Sequence, residues 1–423
     1  FMKIKKVFTP VSEATSTYSH SNTIEKADQI ITEYETGGRS PLGWSRKVML
    51  GVSLIWSIFQ IWYASTLPFI FNFGVFNDTE ARSIHLAFSI FLVYLAFPAS
   101  RSSPQTCIPW KDWFFAGTGA FSAGYLYLFY HELSDRPGLP TYLDIVVSVT
   151  GMILLLEGTR RALGPTLMVV ASVFLLYTVA GPYMPEVIAH KGQSLNKIVS
   201  HQWLGTEGVF GVALGVSTSF VFLFVLFGAI LDPAGGGKYF INLAFALVGK
   251  MRGGPAKAAI LASGLTGLIS GSSVANTVTT GTFTIPIMKK SGLTAVKAGA
   301  IEVAASVNGQ IMPPIMGAAA FVMAELLGIS YFTVITHAFL PAVISYIALF
   351  YISHLESVKL NIRGLPESEI PPLGKTFLSG IHYLIPIFIL VYLLLIERWT
   401  AASAVFYSIL SLMIIILVRA VLT

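Results

Sequence analysis

The sequence predicts an all-α, polytopic helical membrane protein with a re-entrant helical hairpin and a discontinuous transmembrane helix. Three observations support this fold class. Of the 423 residues, 54% are hydrophobic and 11% are charged, whereas soluble domains carry about 25% charged residues. Most apolar stretches are long enough to cross ~30 Å of hydrocarbon as a helix. Two stretches rich in Gly, Pro and small polar residues interrupt this pattern, at 268–286 and 308–318.

The composition limits the classes of function that the chain can have. Its net charge is +6, but basic residues in membrane proteins collect beside the cytoplasmic ends of spans. The charge therefore reflects topology, and it indicates no nucleic-acid partner. The single cysteine, Cys107, excludes an internal disulfide and a cysteine-based metal cluster. Residues 1–45 are polar and predict a solvated cytoplasmic arm with one short interfacial helix.

Apolar spans follow the arm in quick succession. Their cores lie near 48–71, 84–99, 113–131, 142–158, 165–181 and 206–231. Basic residues precede the first span, separate the second from the third, and follow the fourth: Arg46, Lys47, Arg101, Lys111, Arg160 and Arg161. If the spans alternate in direction, these residues share one side of the membrane, which places the N-terminus in the cytoplasm.

The sixth span ends in a glycine-rich stretch, "DPAGGGKYF", at 232–240. A phosphate-binding P-loop requires the pattern G-x-x-x-x-G-K-[ST]. Asp232 stands at the first glycine position and Tyr239 follows Lys238, so the stretch supports no nucleotide site. We expect a turn that leads into an interfacial helix at 238–249.

The polar stretch at 268–286 lies between two basic flanks. These flanks consist of Lys250, Arg252 and Lys257 on one side and Lys289, Lys290 and Lys297 on the other. Both flanks are expected in the cytoplasm, so the segment 258–288 must enter the membrane and return. Two arms of about 15 residues reach only ~22 Å each, which is less than a full crossing. The pattern predicts a re-entrant hairpin with its tip at 271–273; a single irregular span would place one basic flank outside.

A second interruption follows the hairpin. A helix is predicted at 295–309 and resumes near 316 to reach about 327, with the pair Pro313-Pro314 between the two parts. Proline removes a backbone donor and restricts the residue before it. Discontinuous helices of transporters expose backbone groups that bind ions and substrates, while a proline kink without a ligand is the alternative. Beyond it, a span at 331–353, a cytoplasmic linker and two paired spans at 376–396 and 401–418 complete the chain.

The side chains at these interruptions favour a particular chemistry. Hydroxyl groups, amides and unwound carbonyls are hard, neutral oxygen donors that suit sodium better than zinc or copper. Helix N-termini at a break carry partial positive charge and favour a carboxylate. The residue types between Ser270 and Thr284 therefore indicate sodium together with an anionic organic solute.

Other chemical motifs are weaker. His131 begins an H-E-x-x-H pattern, but Asp135 replaces the second histidine, so no zinc site is expected. Ser272 is a conceivable intramembrane hydrolase nucleophile, although nothing in the sequence positions a histidine base beside it. Glu302 lies in an apolar segment, where a carboxylate is a functional candidate. It follows Lys297 by about 7–8 Å of helix rise, so structural pairing near the interface and a coupling role both stay open.

The segments 267–292, "GLISGSSVANTVTTGTFTIPIMKKSG", and 299–325, "GAIEVAASVNGQIMPPIMGAAAFVMAE", resemble the large membrane subunit of TRAP (tripartite ATP-independent periplasmic) transporters. The preceding spans are similar to the fused small subunit of the TAXI branch. The resemblance implies a sodium-driven importer of organic carboxylates in a bacterial or archaeal plasma membrane, with an elevator-type mechanism and no enzymatic activity. It implies a soluble periplasmic or lipid-anchored substrate-binding protein as partner, and neither an ATPase subunit nor a cofactor beyond coupling sodium ions.

The resemblance also implies which residues form the site. Sodium ligands are expected at the hairpin tip and at the end of the helix before the proline pair: Ser270, Gly271, Ser272, Ser273, Asn276, Asn308, Gly309 and Gln310. Substrate contacts are expected from Thr277, Thr280, Thr282, Pro313 and Pro314.

The expected domain organisation follows from these assignments. It comprises an arm (1–45), small-subunit-like scaffold helices (46–182), a periplasmic loop (183–204), the first repeat of the transport domain (205–355, with hairpin 258–288 and broken helix 295–327), a cytoplasmic linker (356–375) and further scaffold helices (376–423). The family pairs two inverted repeats around one site, and a second hairpin is not found here. The sequence is therefore expected to stop before the second repeat. The rival functions are a passive channel and, less favoured, an intramembrane hydrolase.

Overall fold

A computed structural model describes residues 38–100, 102–270, 273–313 and 315–422. Within these ranges the chain forms helices and no strand, which confirms the all-α prediction. The first ten helices are α1 (Trp44–Ala64), α2 (Leu67–Phe71), α3 (Asp78–Ala96), α4 (Trp110–Leu128), α5 (Tyr130–Ser134), α6 (Tyr142–Leu163), α7 (Pro165–Ala180), α8 (Leu195–Gln202), α9 (Val212–Val216) and α10 (Phe222–Leu231). The others are α11 (Gly236–Val248), α12 (Gly254–Ser270), α13 (Ser273–Lys290), α14 (Ala295–Gly309), α15 (Ala318–Leu327), α16 (Tyr331–Lys359), α17 (Leu373–Gly380), α18 (Leu384–Leu395) and α19 (Ala401–Leu422).

Many of these helices are suited to a membrane. Among the described residues, seven helical stretches are long and apolar enough to cross one. They are Trp44–Ala64, Tyr142–Leu163, Pro165–Tyr183, Val212–Leu231, Tyr331–Lys359, Glu367–Leu395 and Ala401–Val421. The polytopic membrane fold is therefore confirmed.

The first group of helices, α1 to α7, packs around α3 and α4. A capping box between Asn77 and Glu80 fixes the start of α3, with 2.9 Å hydrogen bonds in both directions. Tyr94 and Leu126 are buried between α3, α4 and α6, and the Tyr94 hydroxyl donates to the Leu154 carbonyl at 2.8 Å. This arrangement gives the first group its own hydrophobic core.

The end of the predicted arm is not a solvated tail. Arg39 is buried, and its guanidinium donates to Asp112 Oδ2 at 2.5 Å. Arg161 donates to the other oxygen of Asp112 at 2.8 Å, and the Arg39 amide donates to the Ala96 carbonyl at 2.6 Å. A buried carboxylate requires such compensation, which explains why this part of the chain is packed against α3 and α4. Residues 1–37 of the predicted arm lie outside the described residues.

Several element boundaries differ from the sequence prediction, and two of them have a clear local cause. The first span, expected at 48–71, is divided into α1 and α2. The hydroxyl oxygen of Ser65 accepts a hydrogen bond from the Leu67 amide at 3.2 Å, and Pro68 occupies the first turn of α2, where no backbone donor is needed. The interfacial helix expected at 238–249 is α11, which begins earlier because Gly235 adopts a positive φ of 110° directly before it.

The second group of helices, α8 to α19, contains a larger apolar core. Helices α10, α15, α18 and α19 bury Leu223, Phe227, Phe321, Leu390 and Leu412 among other side chains. A π-helical turn at Ser217–Val221 joins α9 to α10. Such turns are rare within helices.

The linker between α16 and α17 is shorter than expected. Helix α16 continues to Lys359 and α17 begins at Leu373, so the connector occupies 360–372 rather than 356–375. It is fixed to the turn before α12. The Leu365 amide donates to the Gly249 carbonyl at 2.9 Å, and Lys250 pairs with Glu367 at 2.5 Å.

Candidate functional site

Helices α12 and α13 form the predicted hairpin. Its arms are Gly254–Ser270 and Ser273–Lys290, so the hairpin is slightly longer than the predicted range 258–288. The side-chain nitrogen of Asn276 donates to the Ser263 carbonyl at 2.9 Å. In one uninterrupted helix, 13 residues would separate these positions by ~20 Å. The chain therefore reverses between them, and the single irregular span is excluded.

Asn276 connects three helices. Its Nδ2 also donates to the hydroxyls of Ser263 and Ser306 at 2.9 and 3.2 Å, and its Oδ1 accepts from Thr266 at 2.7 Å. Asn276, Ser263, Thr266 and Ser306 are all buried. Each buried polar group thus has a partner, and the network joins both arms to α14. The sodium contact expected of Asn276 stays a prediction; its side-chain oxygen accepts one hydrogen bond and keeps a second lone pair.

Glu302 lies deeper in the protein than its distance from Lys297 suggested. Its residue exposure is 0%. The Thr284 hydroxyl donates to one carboxyl oxygen at 2.5 Å, and the Thr280 hydroxyl donates to the other. Glu302 forms no ion pair in the described part of the chain, so these hydroxyls provide its compensation for burial. Thr280, expected as a substrate contact, is placed against this carboxyl.

The helix that follows the hairpin is interrupted, as predicted. Helix α14 ends at Gly309 and α15 begins at Ala318. The Gly317 amide donates to the Gln310 carbonyl at 2.7 Å and closes the loop, and Met316 has a positive φ of 57°. Positive φ is uncommon for a residue such as Met and marks a constrained backbone.

The remaining predicted site residues have varied surroundings. Asn308 Oδ1 accepts from the Ser345 hydroxyl at 2.9 Å. The hydroxyls of Thr277 and Thr282 donate to main-chain carbonyls of their own helix, those of Ser273 and Thr279, at 2.7 and 2.9 Å. Pro313 is partly buried in the loop before α15. Three residues lie outside the described ranges: Gly271, Ser272 and Pro314. Ser270 is the last residue of α12.

The two interruptions lie side by side. A β-carbon added to Gly267 would stand 2.9 Å from the Gly309 Cα, and the reverse substitution gives the same distance to the Gly267 Cα. Gly309 ends α14, and Gly267 precedes the hairpin tip by about 6 Å of helix rise. Small residues permit this approach of two backbones in a membrane. The end of α14 and the last turns of α12 are thereby brought to one region, and breaks of this kind are where transporters bind ions and substrates.

Sequence reasoning missed four members of the polar network: Ser263, Thr266, Thr284 and Ser306. A signal was available, because residues 276, 280 and 284 and residues 302 and 306 recur at intervals of four. Positions four apart share one face of a helix. The spacing thus identifies a polar stripe on α13 and on α14, although it does not identify the facing partner.

The sequence of this chain is similar to those of known proteins. The model of the DctM family, described as the DctM component of the tripartite ATP-independent periplasmic transporter, matches residues 150–422. Uncharacterized protein YgiK of Salmonella typhimurium is 31% identical over 168 residues, 40% of this chain and 38% of that protein. A putative TRAP transporter large permease protein of Haemophilus influenzae is 27% identical over 168 residues, 40% of this chain and 39% of that protein. The chain thus matches less than half the length of these relatives.

Proposed function

Since this chain belongs to the DctM component family of tripartite ATP-independent periplasmic transporters, we propose that it is the membrane permease of a sodium-coupled importer of small organic carboxylates. The family consists of transporters and not of enzymes. A periplasmic or lipid-anchored binding protein delivers the solute, and no ATPase subunit takes part. The N-terminus lies in the cytoplasm, in agreement with the basic residues that flank the first spans.

One observation carries this proposal: the hairpin and the broken helix meet at Gly267 and Gly309. The donors there are hydroxyl, amide and main-chain oxygens, which are the ligands expected for a hard monovalent cation. Sodium occupies oxygens around 270–277 and 308–312. Its charge orders the hairpin tip, and a carboxylate then binds against the adjacent helix N-termini.

Movement of the loaded hairpin completes the proposed cycle. The buried network around Asn276 ties both arms to α14, so these helices are suited to move as one body. The helices of the first group pack around a different core, to which Trp203 and Phe210 also contribute, and act as the fixed scaffold. Translocation is a displacement of the hairpin and α14 along this scaffold.

Uptake by proteoliposomes tests the proposal. The purified full-length protein is reconstituted into liposomes. Uptake of radiolabelled succinate, lactate or benzoate is then measured with and without an inward sodium gradient, and with and without the binding protein. We expect uptake of at least one probe only when gradient and binding protein are both present. Uptake that needs the binding protein but is independent of the sodium gradient would reject sodium coupling. Uptake that needs neither would indicate a passive channel.

A further inference from the structure

A cavity of about 480 Å³ lies at the base of the hairpin, apart from the polar network. It is bounded by α11, by α13 and by the linker at 363–371. From α13 it receives Phe283 and Ile287, whereas the neighbouring Thr284 and Met288 are buried. The lining includes no residue of the polar network, so the cavity and the network are separate sites.

The inner wall of the cavity is apolar. Ile241 and Phe245 contribute to it from α11, and Phe283 and Ile287 contribute from α13. Phe283 is 48% exposed. Aromatic and aliphatic side chains around a concave surface are the usual lining of small-molecule sites, whose volumes are about 300–1,000 Å³.

The rim of the cavity carries an excess of positive charge. Lys290 and Arg363 line it, against the single lining carboxylate of Glu369. Glu369 lies 3.9 Å from the Lys290 ammonium. Arg363 forms no ion pair within the described residues, so its guanidinium is available to a ligand. A guanidinium is the preferred partner of carboxylates because it binds them with two parallel hydrogen bonds.

The linker wall is held in place without a ligand. The Lys250–Glu367 ion pair and the hydrogen bond from Leu365 to Gly249 attach it to the turn before α12. Arg252 adds a 3.1 Å hydrogen bond to Asn361. A preformed wall lowers the ordering cost of binding.

We propose that this cavity binds a small organic anion that has an apolar portion, with its carboxylate on Arg363 and Lys290 and its apolar portion against Phe283 and Ile287. The site goes beyond the transport function, since it shares no residue with the polar network and does not require translocation. The surrounding basic residues assign it to the cytoplasmic side, where a soluble metabolite can enter from the cell interior.

Ligand-observed fluorine NMR tests this proposal on the full-length protein in nanodiscs of phosphatidylcholine. The probe is 4-fluorobenzoate, and 4-fluorobenzyl alcohol is its uncharged counterpart. We expect protein-dependent broadening for the benzoate and little for the alcohol. Arg363→Gln is expected to weaken benzoate binding by about tenfold, the loss of one charge-assisted hydrogen bond, and Arg363→Lys is expected to retain part of it.

The matched control is Lys289→Gln, which removes one positive charge from the adjacent exposed position but does not line the cavity. It is expected to bind the probe as the wild type does. Equal broadening by the alcohol, or an equal effect of the Arg363 and Lys289 variants, would overturn the proposal. Nanodiscs that contain phosphatidylglycerol test whether an anionic lipid occupies the cavity instead. If this lipid abolishes probe binding and stays bound to the protein in native mass spectrometry, a lipid occupies the cavity and the proposal is wrong.

Discussion

Three glycines of the hairpin region all lie in helices but have different surroundings in the structure. Gly267 and Gly309 face each other, and a β-carbon on either would lie 2.9 Å from the backbone of the other. Gly299, in the same helix as Gly309, has no neighbouring atom within 4 Å of such a carbon. The backbone approach therefore constrains two of the three positions.

This difference predicts opposite effects of the same substitution. Gly267→Ala is expected to destabilise the protein by about 1–3 kcal/mol, because α14 must move away from α12. Gly299→Ala is expected to stabilise it by up to about 1 kcal/mol, since alanine favours the helix and meets no neighbour. Thermal unfolding of the purified variants, followed by tryptophan fluorescence, measures both. Shifts of equal sign and size would contradict the close approach.

The sequence predicted the two breaks at the candidate site but not the partners of the side chains around them. The run of hydroxyl residues and the proline pair identified both breaks correctly. The pairing of Asn276 with Ser306, and of Glu302 with Thr280 and Thr284, depends on how three helices are rotated about their axes. A change of one residue in register turns a helix face by about 100°, so composition and spacing alone cannot determine it.

At the scale of elements, the hairpin determines the topology. Its two arms are joined through Asn276 and Ser263, so their outer ends lie on one side of the protein. Lys257, at the base of the first arm, is only 5% exposed and contacts His354 at 3.2 Å. It is therefore a poor reporter of sidedness, whereas Arg252 and Lys289 are exposed.

Cysteine labelling tests this topology. Cys107 is exposed and is first replaced by serine. Single cysteines at Arg252 and Lys289 are then treated with an impermeant maleimide in vesicles of both orientations. We expect both to react in inverted vesicles only, because both flanks of the hairpin lie in the cytoplasm. Val187, which is 95% exposed in the predicted periplasmic loop, supplies the opposite control. Labelling of the two hairpin positions from different sides would refute re-entry.

The elements most visible in the sequence were those with a strong periodic or breaking signal. Long apolar runs predicted α6, α7, α16 and α19 to within about six residues, and Gly/Pro clusters predicted the breaks. The span predicted at 376–396 is instead divided between α17 and α18. The division between α1 and α2 was missed because Ser65 interrupts the helix by accepting a local hydrogen bond. A single serine in an apolar run does not by itself predict such a bond. The packing of Arg39 was missed because its partner, Asp112, is far along the chain.

At the scale of the whole molecule, Trp203 attaches the second group of helices to the first. Its side chain is completely buried, and its indole nitrogen donates to the Ser122 carbonyl at 3.0 Å. A β-carbon on Gly151 would overlap the indole ring, so the absence of a side chain there makes room for it. His85 adds a 3.1 Å contact to Ser217 across the same boundary.

This attachment predicts that the two groups associate without a covalent link. We expect polypeptides 1–186 and 187–423, expressed together, to co-purify on a tag carried by the first. Trp203→Ala is expected to cost about 3–5 kcal/mol and to abolish most of the recovery. Trp399→Ala, which removes a half-exposed indole from the same polypeptide, is the control and is expected to have little effect. Undiminished recovery with Trp203→Ala would show that the groups are held together elsewhere.

The π-helical turn at Ser217–Val221 sets α9 and α10 out of phase with one another. It adds one residue to a turn, which rotates everything beyond it by about 100°. The segment before the turn contacts α3 and α15, and the segment after it contacts α1, α12 and α19. The helical stretch 212–231 thus presents differently oriented surfaces before and after the π-helical turn. Inserting or deleting one residue between those surfaces would rotate one of them away from its contacts by about 100°. The spacing between the surfaces is therefore constrained as well as their side chains.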